Sequence, residues 1–144
     1  IMCDLRVCSD RAKLSESYIN LGVVPGDGGA YFLPRLVGVS RALELLFTGD
    51  DISPQEALEL GLVNRVVPHD CLMDETMIMA EKIASKPPLA IRMIKRAVCQ
   101  AQTGTLRSHL DYISSQVALL SETQDHHEAA RAFIEKRKPK FVGK

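Results

Sequence analysis

Ile19-Asn20-Leu21-Gly22-Val23-Val24-Pro25-Gly26-Asp27-Gly28-Gly29-Ala30-Tyr31-Phe32-Leu33-Pro34-Arg35 is the stretch around which this chain is organised. It reads as a short apolar strand over residues 19–24, a tight glycine turn and the start of a helix. Glycine at 26, 28 and 29 lets the backbone adopt positive φ and approach a ligand closely. The amides of the opening helical turn face that bend and make it rich in donors and mildly positive. The Lys-Ser/Thr ending of a phosphate-cradling loop is absent.

Upstream, residues 1–7 are apolar nearly throughout, the pattern of a strand covered on both faces. Residues 12–14 read as a second short extended piece. A chain that begins inside a buried strand is expected to lack its start. Downstream the pattern turns helical. Residues 31–37 form a short helix interrupted by Pro34, and Ser40 is placed to cap a helix that ends before Gly49. Ser53-Pro54-Gln55-Glu56 has the form of a capping box, with Gly61 closing the helix behind it. Residues 62–67 are β-prone, and Pro68 stops them.

Asp70 is placed to cap the next helix, whose stripe of Met73, Met77, Ala80 and Ala84 reads as core. Pro87-Pro88 ends that helix. Ala90, Ile91, Ile94, Val98 and Ala101 mark another, and Leu106, Leu110, Ile113, Val117 and Leu120 form the clearest amphipathic repeat. A last helix covers residues 125–136. The chain therefore reads as α/β, strands and turns first and helices after, with no internal repeat.

Eighteen basic and eighteen acidic residues cancel over 144 residues, which argues against a nucleic-acid groove or an anionic membrane surface as partner. No apolar run approaches the roughly 20 residues of a membrane-spanning helix, and no signal peptide is recognisable. Cys3, Cys8, Cys71 and Cys99 form no Cys-x-x-Cys pair and have no histidine at metal-ligand spacing, so they read as free thiols. His126 and His127 are adjacent rather than four apart, which is not a zinc-binding spacing.

From Ser15-Glu16-Ser17-Tyr18 through Arg35 to Leu36-Val37-Gly38, the sequence resembles the enoyl-CoA hydratase/isomerase (crotonase) superfamily. Three further matches follow in order. They are Leu46-Phe47-Thr48-Gly49-Asp50 with Ile52-Ser53, Ala57-Leu58-Glu59-Leu60-Gly61-Leu62-Val63, and Ala132-Phe133-Ile134-Glu135-Lys136-Arg137-Lys138-Pro139. The resemblance covers the whole chain but only the second half of a family member. It implies the end of a crotonase-like ββα-spiral core over residues 1–84 and a C-terminal α-helical oligomerisation region over 85–144. It also implies an acyl-CoA thioester as partner, a homotrimer or dimer of trimers, no cofactor beyond the coenzyme A of the substrate, and a cytoplasmic, mitochondrial-matrix or peroxisomal setting.

Family chemistry places an acyl-CoA thioester where backbone amides stabilise an enolate-like oxygen while carboxylates move protons. The loop carrying the first catalytic glutamate would lie ahead of Ile1, so this chain alone is expected to be inactive. The second hydratase glutamate corresponds to Tyr18, a departure: a phenol of reference pKa about 10 is a poor base at neutral pH. Tyr18 can donate a hydrogen bond to a thioester or water, or simply pack. Glu16, two residues before it, would share its face on a strand and reads as a surface residue. Asp27 is the one carboxylate inside the turn. Some family members carry an aspartate one position earlier, where Gly26 stands here. Asp27 can handle protons, cap the helix starting at Gly28, or do both. Gly26 is expected at the substrate, while Phe133 and Lys136 correspond to positions that contact the CoA nucleotide. Lys136 and its basic neighbours also suit a helix C-terminus.

Overall fold

The computed structural model describes all of residues 1–144, and the fold is α/β with helices predominating. Strand β1 (Val7–Ser9) pairs in parallel with β2 (Arg65–Val67), Val7 opposite Arg65 and Ser9 opposite Val67. Helices α1 (Gly29–Val37), α2 (Val39–Thr48) and α3 (Pro54–Glu59) lie between them in sequence. Helices α4 (Leu72–Ala84), α5 (Pro88–Ala101), α6 (Leu106–Ser121) and α7 (Gln124–Ile134) follow. The chain divides into two compact units, Ile1–Ile78 and Met79–Lys144, with the division falling inside α4.

Unit 1 is built on a core of Cys8, Leu33, Ala42, Leu45, Ile52, Ala57, Leu62 and Val63. Burial pushes the Cys8 thiol above its ordinary value. Strand order is shorter than the apolar run predicts: β1 begins only at Val7, because β2 offers a partner over just three residues. Arg6 extends the junction, its N–H bonding Asn64 Oδ1 while the Asn64 N–H bonds the Arg6 carbonyl. At the strand ends, the Ser9 hydroxyl lies 3.1 Å from His69 Nδ1, and the Asp10 carboxylate accepts the His69 N–H at 3.0 Å. Leu14 and Ile52 exchange backbone bonds as an isolated antiparallel bridge.

The expected strand over residues 19–24 is absent. Residues Ser17–Leu21 form a 3-10 turn ended by Gly22 at φ 70°. An extended segment needs backbone partners, and here the chain satisfies itself locally, with the Gly22 N–H on the Ile19 carbonyl and the Val23 N–H on the Tyr18 carbonyl. Helix α1 starts at Gly29 and runs through Pro34 without a break. Ser40 lies inside α2, whose N-cap is Gly38. Ser53 does cap α3, accepting from the Glu56 N–H, but the Glu56 side chain turns to Arg41 instead of completing the box. Asp70 sits within a 3-10 turn, His69–Cys71, that feeds directly into α4.

In unit 2, α6 begins with a capping box in which Thr105 and Ser108 serve each other's backbone N–H. Its apolar stripe is largely uncovered: Leu106, Leu110 and Val117 are exposed. Met73 and Met77 of α4 are exposed as well, so neither stripe is core within this chain. At the start of α7 the buried Asp125 carboxylate accepts the N–H groups of Val142 at 2.7 Å and Gly143 at 2.9 Å, clamping the C-terminal tail. No helix is long and apolar enough to cross a membrane.

Candidate functional site

The glycine turn joins the 3-10 segment to α1. Gly28, at φ 90°, is the N-cap, a left-handed conformation that disfavours any residue with a Cβ. Asp27 precedes it, and its Oδ1 accepts the N–H of Gly29, the first residue of α1, at 2.9 Å. Asp27 thus satisfies one of the orphan donors of the helix start from just outside the cap position. Gly26 is exposed, its φ lies outside the left-handed region, and a Cβ there would meet nothing within 4 Å.

Glu16 is where the sequence reading fails. It is half-buried rather than a surface residue, and it precedes a 3-10 turn, so no strand face is shared with Tyr18. Its carboxyl rests on Gly29, where a Cβ would stand 2.6 Å from Oε2. Oε2 is shielded from solvent and has no hydrogen-bond partner. Desolvation, and then the Asp27 charge, raise the Glu16 carboxyl above its ordinary value. The sequence carried no local signal for this, and the structure supplies it. Gly29 is helical, so the turn has no conformational need for glycine there; only a close neighbour explains it.

Tyr18 is half-buried in the 3-10 turn, two residues from Glu16. The structure therefore brings Glu16, Asp27 and Gly29 together, with Gly26 beside them in the turn. Phe133 and Lys136 belong to unit 2 and lie at the end of α7. Phe133 is 85% exposed. Lys136 is the one non-glycine residue with positive φ, at 52°. The Arg137 N–H bonds the Ala132 carbonyl and the Lys136 N–H bonds the Phe133 carbonyl, a Schellman closure that usually takes glycine where Lys136 stands. Beyond it, Arg137 grips Glu128 through both terminal nitrogens. With the Lys140 N–H, this draws the Glu128 carboxyl down to about 2. There is no group of three or more His, Cys, Asp or Glu side chains able to hold a metal ion.

The family model for enoyl-CoA hydratase/isomerase matches residues 1–144, the whole chain. The chain belongs to the enoyl-CoA hydratase/isomerase family. Among curated relatives, the crotonyl-CoA hydratase of Syntrophomonas wolfei is 39% identical over 142 residues, covering 99% of this chain and 55% of that protein. The 2,3-dehydroadipyl-CoA hydratase of Escherichia coli K12 is 36% identical over 144 residues, covering 100% and 56%. The crystal structure of an enoyl-CoA hydratase from Bacillus anthracis superimposes with a TM-score of 0.95 at 41% identity, covering 99% of this chain and 55% of that one. The chain thus spans about half the length of these enoyl-CoA hydratase/isomerase relatives, and the glycine turn lies within the matched half.

Proposed function

We propose that this chain supplies the C-terminal half of an acyl-CoA site, in an enzyme that hydrates or isomerises an unsaturated acyl-CoA thioester through an oxyanion-stabilised enolate. The observation that carries the reading is the Asp27 carboxylate, tied to the first amide of α1 inside the glycine turn of a family member. An ionised carboxylate accepts hydrogen bonds and protons, and here it stands ready beside a donor-rich helix start. Gly26 supports the same placement: the fold's own packing makes no demand for glycine there, whereas close approach of a thioester would. A single carboxylate returning one proton between carbons suits isomerisation. Adding water normally uses a second group, which the family carries in the half not represented here.

In this reading Tyr18 donates a hydrogen bond, Phe133 stacks on the nucleotide base and Lys136 pairs with a phosphate. The strained φ of Lys136 supports a role for its side chain beyond closing the helix. Residues 85–144 form the oligomerisation region. An apolar groove of ≈ 650 Å³ between α5 and α6, lined by Met93, Ile94, Val98, Ile113 and Val117, supports this assignment. Coenzyme A enters only as part of the substrate.

The test is crotonyl-CoA hydration and 3-enoyl-CoA isomerisation by the full-length enzyme. Asp27→Asn is expected to lower kcat about 10²-fold or more at an unchanged melting temperature, and Tyr18→Phe much less. Full turnover in Asp27→Asn overturns the role of Asp27. A second reading, a non-catalytic acyl-CoA-binding or assembly protein, is favoured by Tyr18 standing where hydratases carry glutamate; it predicts binding without turnover in the unaltered enzyme. For the nucleotide end, Lys136→Gly is expected to raise stability by about 1 kcal/mol and to weaken acyl-CoA binding more than binding of a pantetheine thioester. Equal effects on both ligands would restrict Lys136 to the helix end.

A further inference from the structure

Glu16 is the half-buried titratable group beside the turn to which the proposed chemistry assigns no task. Its carboxyl is seated rather than incidental: both oxygens approach Gly29 so closely that a Cβ would stand 2.6 Å from Oε2 and 2.7 Å from Oε1. Asp27 meets the same residue through the Gly29 N–H at 2.9 Å. Two carboxyl groups therefore converge on one glycine at the start of α1. Only Asp27 receives a hydrogen bond from it, and Glu16 Oε2 is shielded from water with no partner. An ionised carboxylate in the Glu16 position is disfavoured by lost solvation and by the facing Asp27 charge. Both effects act in the same direction on the Glu16 carboxyl.

We propose that Glu16 and Asp27 form an electrostatically coupled carboxyl pair on Gly29, in which Glu16 tunes Asp27 as the working base. This deepens, and rests on, the acyl-CoA reading above. Glu16 is a positioning residue that acts through Asp27. In an isomerisation step Asp27 takes a proton from carbon, and the C–H electron pair passes into the enolate. The proton then returns to a second carbon as the enolate collapses, leaving Asp27 ionised. Once Glu16 ionises, a second negative charge stands beside Asp27 and alters its exchange of that proton, the mutual dependence of coupled carboxyls. The rate therefore carries a pH step set by Glu16.

The experiment is a carbon-13 NMR titration of the side-chain carboxyls in the full-length enzyme, joined to pH–rate profiles with crotonyl-CoA and a 3-enoyl-CoA as probes. The Glu16 midpoint is expected above the ordinary glutamate range and is expected to move down in Asp27→Asn. The rate profile is expected to show a step at the Glu16 midpoint that disappears in Glu16→Gln, an isosteric change that leaves room over Gly29. A Glu16 midpoint in the ordinary range, or one that stays put in Asp27→Asn, overturns the pair. So does a rate profile identical in the unaltered enzyme and Glu16→Gln. If Glu16→Gln fails to fold, the Asp27→Asn titration still decides, because it leaves Glu16 in place. Coupled titration without turnover of either probe supports the pair and overturns the acyl-CoA turnover reading instead.

Discussion

Unit 1 closes over large apolar side chains, Leu33, Leu45, Ile52 and Leu62 among them, whereas unit 2 buries Ala97, Ala132 and the charged Asp125. The apolar residues of unit 2 are not missing. Ile94, Val98, Leu106, Val117, Phe133 and Ile134 are all exposed. The same amphipathic coding thus closes a core of large side chains in unit 1 and none in unit 2. What gives unit 2 its fixed form is polar: the Asp125 carboxylate on two tail amides, and Glu128 between Arg137 and the Lys140 N–H. A hydrophobic stripe only stabilises once something covers it, while a carboxylate on backbone donors acts at once.

Leu33 is 2% exposed in the centre of the unit 1 core. Leu33→Ala is expected to cost about 2–5 kcal/mol in a denaturant titration, the range for a buried leucine. Val117→Ala, on the open stripe of α6, is expected to stay within about 0.5 kcal/mol at concentrations where the chain is monomeric. Similar losses at both positions in the monomer would mean that the α6 stripe is covered within one chain.

A smaller effect sharpens the other side. Asp125→Asn replaces a doubly accepting carboxylate with one carbonyl oxygen, leaving one tail amide short of its partner. It is expected to destabilise unit 2 by roughly 2 kcal/mol. Native-state hydrogen exchange should report this as faster exchange at Val142 and Gly143, with the amides of α2 unaffected. Uniform acceleration across both units would remove the distinction drawn here.

The smallest effect is in pH, and it has opposite signs in the two units. The Glu128 carboxyl is lowered from 4.5 to about 2, so its contribution is present above the ordinary value and lost as pH falls through about 2. The Glu16 carboxyl is raised, so its contribution is present below the ordinary value and lost as pH rises through the folded one. Acidification from neutral should therefore first slow exchange around Gly29, and only below about 4.5 loosen the tail held by Glu128. Parallel behaviour of both regions would contradict the assignment. Because Glu128 and Arg137 are solvated, salt should blunt the second effect.

The order of the helices, the family and the glycine turn ahead of α1 were all legible in local sequence. Periodicity, caps and the spacing of glycine are properties of neighbouring residues. Ser53 before Pro54 and Gly61 behind α3 act where they were expected, because a cap needs only the few residues around it. Strand length was not legible: residues 1–7 and 19–24 have strand composition, yet extended structure lasts only as far as a partner backbone runs beside it. Nor were the open stripes of α4 and α6, since periodicity names a face without saying what covers it. The bond from Asp27 to the helix start was legible because it reaches only the second residue along. Glu16 was not, because its character comes from Gly29 thirteen residues away. Only the tertiary structure brings that backbone under the carboxyl, excludes water and places a second charge alongside.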